Sequence, residues 1–522
     1  MKATEGRGGS VTERNGNIPC VASVDIGTQG TKAALLTRRG DILASAFVPS
    51  KLIRGSGGQV EQRPDDMLQE FVEAVAACAA KRPDAAVEAV ALSGQMAGVM
   101  GIDARGEAAT PYDSWLDTRC ESQFDRIKAL GEAAVIAETG CPITYAHGPK
   151  TLWWKRERPD AYRAIAKFVV PTAYVAGRLT DAKADDAYID YTHLHFSGFA
   201  DAAAGGWSAS LLRELDVEPS KLPRVVSPWD RVGGLTARWA DACGLREGTP
   251  VLAGCGDTAA STLGAGIVRP GMLFDVAGTA SVLACCVDAY RPDTEHKTLM
   301  FARSVVPGLW APLAYINGGG QCIAWFRDQL KSEAGGGPAF DDLNRGAEAW
   351  APGCDGLHFV PHFGGRVCPN NALLRGAWAG LNWGHDKYAM YRSILESIAY
   401  EYQIYLDILA DSLPGVRFDE VRVVGGGAKG ATFNKIKANV LGVPYATLRE
   451  SDTGHLGNLL IAGYALGWHD DFAGEADRLV AVRERFEPEA DAVRAYLEPK
   501  RRYPALLEKI AELQSLLKER ME

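Results

Sequence analysis

The apolar positions of the chain change their period several times, and each change marks an element. CVASVDIG, Cys20–Gly27, is a short apolar run that ends in glycine. KAALLTRRGDILASAF, Lys32–Phe47, predicts two strands around an Arg-Gly turn, an antiparallel pair at one edge of a sheet. Between Asp65 and Ala80 the period lengthens: Met67, Leu68, Phe71, Val75 and Cys78 recur at helical spacing. VEAVALSG, Val87–Gly94, returns to strand and runs into a turn. From about 120 to 240 the pattern predicts mostly helix, with Trp153, Trp154, Tyr162 and Phe168 in its core.

A second series of the same character starts at Pro250. VLAGCGDT is an apolar strand ending in a Gly-Asp turn, and MLFDVAGTASVLACC, Met272–Cys286, predicts strand, turn and strand again. A long amphipathic helix follows over Tyr388–Leu413, and VRVVGGGAKG is a strand that breaks into three glycines. The segment from Pro488 to Glu522 is charged and helical, expected on the outside. This repetition predicts two related α/β domains with a cleft between them and a boundary at 250–265. The expected division is a loose tail over 1–19, domains over 20–256 and 257–485, and a helical extension over 486–522.

Bulk properties narrow the classes. A chain of 522 residues, 47% hydrophobic and 23% charged, fits two well-filled globular domains. The net charge of -9, without a Lys/Arg run, offers no footprint for nucleic acid. The 11 cysteines are scattered with no CxxC pair, which predicts reduced thiols in a cytoplasmic setting. The first residues lack the apolar core of a signal peptide, and no apolar stretch is long enough for a membrane span, so no membrane partner is expected.

Four glycine-containing segments carry the candidate chemistry. In Asp25-Ile26-Gly27-Thr28-Gln29-Gly30-Thr31-Lys32 the glycines let backbone approach a ligand, and the amides and hydroxyls can donate to phosphate oxygens. Lys32 adds a positive charge, and Asp25 at a strand end suits a hydrated Mg²⁺. The Walker spacing is absent, and a simple polar hairpin turn is the alternative. Gly254-Cys255-Gly256-Asp257-Thr258-Ala259-Ala260 fits a GxGxxA dinucleotide fingerprint, with Asp275 downstream as a ribose acid. Against that reading, a pyrophosphate would lie on the Asp257 carboxylate, a costly like-charge contact. A carboxylate at a strand end facing a cleft suits a general base that takes a proton from a hydroxyl, and a helix N-cap is the structural alternative. Gly278-Thr279-Ala280-Ser281 is a second phosphate-contact candidate, and Gly425-Gly426-Gly427-Ala428-Lys429 clears room for a flat group such as adenine. Both are equally compatible with plain turns. His193 and His195 alternate in THLHF without a third ligand nearby, so no zinc site is expected.

In this order the motifs resemble the FGGY family of carbohydrate kinases, most closely its xylulokinase-like branch. DIGTQGTK resembles the first phosphate motif, GQVEQRPDDM the stretch after the first strands, LSGQMAG and SWLDTRC the sugar-contact segments. GCGDTAAS resembles the catalytic segment, VAGTASV the second phosphate motif and VVGGGAKG the adenosine motif. The resemblance covers Cys20 to Trp468. It implies two ribonuclease-H-like domains of the actin-like ATPase type, with the active site in the interdomain cleft and ATP and Mg²⁺ as cofactors. It implies Asp257 as base and Asp25 near Mg²⁺, in contact through water. Gly27, Thr28, Gln29, Lys32 and Thr279 would meet phosphates, and Gly320, Gly426 and Gly427 would lie near the nucleotide. Gln95, Met96, Trp115, Asp117, Tyr145 and Thr258 fall where the family holds its substrate, a ketopentose such as xylulose first. Members of the family are often homodimers. Trp115 and Tyr145 are equally readable as core aromatics, and Asp117 beside Arg119 as a structural ion pair.

The sequence also departs from the xylulokinase pattern. Ala97 replaces the His of SGQMHG, Thr258 stands where Asn is commoner, Gly364-Gly365-Arg366 replaces G-E-R, and Gly430 replaces a Ser. Losing a hydrogen bond to a substrate hydroxyl changes discrimination by about 1 kcal/mol or more, so these departures bear on which sugar fits. A non-catalytic sensor that binds ATP and sugar, and a dinucleotide-dependent dehydrogenase, are the competing readings. Retention of Asp257 argues against the first, and the two unexplained Gly-rich motifs argue against the second.

Overall fold

The computed structural model describes residues 17–331 and 337–519. Most of the tail expected over 1–19 lies outside those residues; the first strand already begins at Ile18. Labels here count the strands of the two large sheets and the helices that position the site. The first sheet holds β1 (Ile18–Ile26), β2 (Gly30–Thr37), β3 (Ile42–Pro49), β4 (Ala85–Gly94), β5 (Arg231–Gly234), β6 (Pro250–Leu252) and β7 (Cys255–Gly256). Its order is β5-β6-β4-β1-β2-β3, with β7 paired to β4. β1, β2 and β3 form the predicted antiparallel series, and β4 joins β1 in parallel. The second sheet holds β8 (Met272–Ala277), β9 (Ser281–Cys285), β10 (Met300–Arg303), β11 (Trp310–Ile316), β12 (Glu420–Val424), β13 (Tyr445–Leu448) and β14 (Val482–Phe486). Its order is β10-β11-β9-β8-β12-β13-β14.

The two sheets repeat one plan. An antiparallel series, β1-β2-β3 or β8-β9-β11, is followed by two parallel neighbours and an antiparallel edge strand. β1 and β8 therefore occupy equivalent central places. The hairpin turns after them, Gly27–Gln29 and Gly278–Ala280, leave equivalent corners of their sheets. Within the region 250–265, where a boundary is expected, the chain leaves β7 and enters α2 (Asp257–Gly264), which still packs on the first sheet.

Central strands are apolar along their whole length because both faces are covered. On one face of the first sheet α1 (Pro64–Lys81) buries Met67, Phe71, Val75 and Cys78 against Val24, Leu35 and Leu92. On the other face lie α2 and α6 (Thr453–Ala465), which bury Ala260, Leu263, Leu456 and Leu460 against Val21, Leu36 and Ala91. α6 belongs by sequence to the second half, so this helix pair ties the halves together. The two helices cross at glycines: a Cβ on Gly457 would run into the carbonyl oxygen of Ala260, and one on Gly264 into that of Thr453.

The second sheet is covered on one face by α3 (Gly319–Gln329), α4 (Lys387–Ser412), α5 (Ala431–Leu441) and α7 (Ala490–Glu519). Within this core Lys437 forms an ion pair with Asp275, both fully buried, and Tyr402 donates its hydroxyl to the same carboxylate at 2.7 Å. Asp275 is thus sealed inside the domain, which removes the ribose acid that a dinucleotide reading of GCGDTA needs. α7 is more than an outer decoration. Tyr496, Tyr503 and Leu507 are buried, and the Tyr503 hydroxyl donates to the carbonyl of Phe359 at 2.9 Å. The region 120–240 is less continuous than its pattern predicts, with helices of 5 to 11 residues separated by short strand pairs. Glycines such as Gly140 and Gly244, both with positive φ, end these helices early. Among the described residues no helix is long and apolar enough to cross a membrane.

The crossing predicts a specific sensitivity. Gly457→Ala should destabilise the protein by about 1–3 kcal/mol through overpacking, read as a lower urea midpoint. Gly206→Ala, where an added Cβ meets nothing within 4 Å, should change it by less than ~0.5 kcal/mol.

Candidate active site

The site grows from the point where β7 hands the chain to α2. Gly254 takes φ +75°, a left-handed conformation that glycine adopts without strain and that lets the chain turn tightly beside Leu92. The Gly256 N–H then donates to Thr192 Oγ1 at 3.0 Å, and Thr192 in turn donates to Asp190. This holds Asp257 at the first position of α2, where the positive end of the helix favours a carboxylate. Its Oδ1 accepts the Thr258 N–H at 2.6 Å and the Thr258 hydroxyl at 3.2 Å. Burial still holds the Asp257 carboxyl above the ordinary range, and the Thr258 bonds and the nearby His193 pull the other way.

A cavity of about 230 Å³ opens in front of Asp257. Of the residues expected from sequence, Met96, Trp115, Tyr145 and Thr258 line it with Asp257. Ala97, at the position of the missing histidine, also lines it, with φ +61°. Gln95 stands behind the wall in a chain of hydrogen bonds. Trp115 Nε1 donates to Thr28 Oγ1 at 2.9 Å, Thr28 donates to Gln95 Oε1 at 3.1 Å, and Gln95 Nε2 donates to Gln62 Oε1 at 2.7 Å. Thr28, expected on the phosphates, therefore has its hydroxyl engaged on the cavity side.

Asp117 is away from the cavity surface. It is buried, accepts the Val60 N–H at 2.9 Å, and shares the Arg119 guanidinium with Glu61 and Asp113, each at 2.8 Å. Three carboxylates around one cation leave excess negative charge. Burial, opposed by Arg119 and reinforced by Asp117, pushes Asp113 up to about 7. This cluster, with Trp154 donating to Asp113 at 2.6 Å, props the loop that carries Trp115.

Asp25 ends β1 on the same side as Asp257. Its Oδ1 accepts the Ser93 hydroxyl at 2.9 Å. Burial and the charge of Asp257 push it up to about 6. Behind it α6 supplies a buried polar network that no motif announces. Asn458 Nδ2 donates to Ser23 Oγ at 3.0 Å and to Ser93 Oγ at 3.2 Å, and His455 Nδ1 lies 2.8 Å from Ser23 Oγ. Lys32 is half-exposed and donates to Asp452, one residue before α6, at 3.0 Å.

The remaining predicted residues gather at the two hairpin turns. The Gly27 N–H donates to the Gly30 carbonyl at 3.1 Å, which leaves Gln29 exposed at the tip. In the second turn the Gly278 N–H donates to the Ala280 carbonyl at 3.1 Å, and Thr279 accepts the Gln321 N–H at 3.0 Å. Gly320, at the start of α3, packs so closely on Gly278 that a Cβ would meet its carbonyl oxygen. Gly427 packs on Ala277, and Gly426 faces open space. Thr279, Gly320, Gly426 and Gly427 thus converge at the end of β8, as Gly27, Thr28 and Gln29 do at the end of β1.

The raised Asp25 carboxyl has a consequence for stability. A folded-state value of about 6 against an ordinary 3.8 means that the folded protein holds this proton more tightly, so stability falls as pH rises through that window. Asp25→Asn, without divalent cation, should therefore melt at least ~2 °C above wild type at pH 7.5, with the gap opening between about pH 4 and 6. Equal melting temperatures across that window would refute the charge assignment.

Residues 20–264 match the family model for the N-terminal domain of the FGGY family of carbohydrate kinases, and residues 275–466 match that for its C-terminal domain. A gluconokinase from Bacillus subtilis is 26% identical over 91% of the chain and 92% of the relative. A xylulose kinase from the same organism is 25% identical over 91% and 94%. The crystal structure of xylulose kinase from Rhodospirillum rubrum superposes with a TM-score of 0.86 at 25% identity, over 95% of this chain and all (100%) of that one. Two matched domains, the repeated sheet plan and the paired Gly-Thr turns around a buried aspartate lead to one conclusion: the chain belongs to the FGGY family of carbohydrate kinases and is a phosphotransferase that uses ATP.

Proposed function

We propose that this kinase transfers the γ-phosphoryl group of Mg-ATP to a terminal hydroxyl of a small neutral sugar or polyol, with Asp257 as general base and a ketopentose such as xylulose as the first candidate acceptor. The observation that carries this reading is the Asp257 carboxylate, held at a helix start on the wall of the cavity that also receives Ala280 of the second Gly-Thr turn. In the transfer the bond between the γ-phosphorus and its bridging oxygen breaks and a bond to the acceptor oxygen forms. The acceptor proton passes to Asp257 and ADP leaves. A base with a raised pKa serves this proton transfer better than an ordinary carboxylate.

The two hairpin turns, with Thr28 and Gln29 on one side and Thr279 on the other, would grip the triphosphate from opposite domains. Gly320, Gly426 and Gly427 leave room for the nucleoside. Asp25 fits a hydrated Mg²⁺: it is a carboxylate raised by burial and by the like charge of Asp257, and it accepts a side-chain hydrogen bond from Ser93. The ion would offset charge on the phosphates. Lys32, drawn to Asp452, lies within the same corner.

The preference for a neutral acceptor comes from charge. No Lys, Arg or His lines the cavity, and its one charged group is Asp257. A sugar acid with its terminal hydroxyl on Asp257 would bring its carboxylate into the same largely apolar cavity with no counter-charge, an arrangement disfavoured in a poorly solvated site.

The test is a coupled ADP-release assay with Mg-ATP across ketoses, tetritols, glycerol and gluconate. Asp257→Ala should lower kcat by about 10²–10⁴-fold or more while ATP affinity changes little. Wild-type-like turnover in that variant would overturn the assignment of the base, and gluconate as the preferred acceptor would overturn the neutral-substrate reading.

A further inference from the structure

Strand alternation decides what the second domain presents to the substrate. Along β9, β10 and β11, Leu283, Phe301, Ala314 and Ile316 point into the helix-covered core. Their alternates Val282, Met300, Leu313 and Tyr315 point to the opposite face, which is turned toward the cleft. Four consecutive neighbours on that face thus form one wall of the cavity that holds Asp257, and Phe196 and Ala97 extend it from the first domain. None of Val282, Met300, Leu313, Phe196 and Ala97 can donate a hydrogen bond, and apart from weak acceptance by the Met300 sulfur their side chains accept none.

Two polar donors elsewhere on the wall are already held by protein acceptors. Trp115 Nε1 is committed to Thr28 at 2.9 Å. The Thr258 hydroxyl donates to Asp257 Oδ1 at 3.2 Å. A substrate hydroxyl pressed against this wall would lose its water and gain nothing, whereas a methyl or methylene group would be buried favourably.

Resting on the acceptor site proposed above, we infer that the substrate is amphipathic: a deoxy sugar or deoxy-polyol whose methyl or alkyl end lies on the Val282–Met300–Leu313 wall while its opposite terminal hydroxyl reaches Asp257. Val282, Met300 and Leu313 are then the specificity-determining residues, and the apolar end takes the place of a hydroxymethyl group.

The experiment compares matched acceptors that differ only at the end distal to the phosphorylated carbon, CH₂OH against CH₃, in the five- and six-carbon ketose and alditol series. With the full-length enzyme and Mg-ATP, kcat/KM should favour the deoxy member of the accepted pair by at least ~10-fold. Val282→Thr and Met300→Gln should each shrink that ratio by about 10-fold, chiefly by improving the hydroxylated member. An equal or higher kcat/KM for the hydroxylated member in wild type would overturn the inference, as would a ratio unmoved in both variants. Calorimetric binding of the same pairs to Asp257→Ala keeps the test separate from the chemistry. Tighter binding of the deoxy member without turnover in wild type would sustain the inference and sink the kinase assignment of this site. Equal binding, or none by any pair, would overturn the inference itself.

Discussion

The crossing of α2 and α6 is the contact on which the active site depends. α2 begins with Asp257, and α6 carries His455 and Asn458, whose network with Ser23 and Ser93 ends on Asp25. The helices can approach this closely only because Gly264 and Gly457 lie at their contact, each against the other's backbone. Sliding one helix along the other would separate the two carboxylates that the cleft needs together. Interdomain attachment and catalytic geometry are thus fixed by one piece of packing, which is rigid because protein interiors are close-packed rather than fluid.

The price of that geometry is electrostatic. Asp25 and Asp257 share a partly desolvated corner: burial holds both above the ordinary carboxylate range, and the charge of Asp257 raises Asp25 further. A fold selected for stability alone would not keep two unpaired carboxylates there. The contrast with Asp275 is instructive: more deeply buried than either, it is met by Lys437 and Tyr402 inside the second domain. What separates Asp275 from Asp25 and Asp257 is therefore the cation beside it, a distinction that the local sequence does not display.

That explains what was legible in advance. The strand–turn–strand repeats, α1, α4 and the glycine segments depend on local chemistry, namely period, turn residues and close backbone approach, so they could be read directly. Asp257 stood at a legible strand-end turn, whereas Met96, Trp115, Tyr145 and Thr258 were placed only by the resemblance to the family; all five line one cavity. The broken helices of 120–240 were not legible, because short helices packed on one another keep a helical period across their interruptions. Asp117 beside Arg119 was ambiguous until three-dimensional packing brought Glu61 and Asp113 to the same guanidinium. Gln62, Ser93, His455 and Asn458 carried no usable signal, since each acts through partners that come from a different part of the chain.

The wall of the cavity shows the same limit from the other side. Val282, Met300, Leu313 and Tyr315 read in sequence as ordinary strand residues, half of an alternation whose other half fills a core. Only the closed topology shows that the second half of that alternation is left for a ligand rather than for a helix. The duplicated sheet plan gives both sheets an equivalent Gly-Thr hairpin turn, but the surfaces around the cavity differ: the segment after the first sheet contributes Asp257 and Thr258, the second sheet mainly hydrocarbon. Under the proposed function, symmetry in the backbone would supply the clamp for the triphosphate, and asymmetry in the side chains on it the recognition of the acceptor. Changes of acceptor within such a scaffold need only alter strand residues facing the cleft, leaving the helix crossing and the two turns untouched.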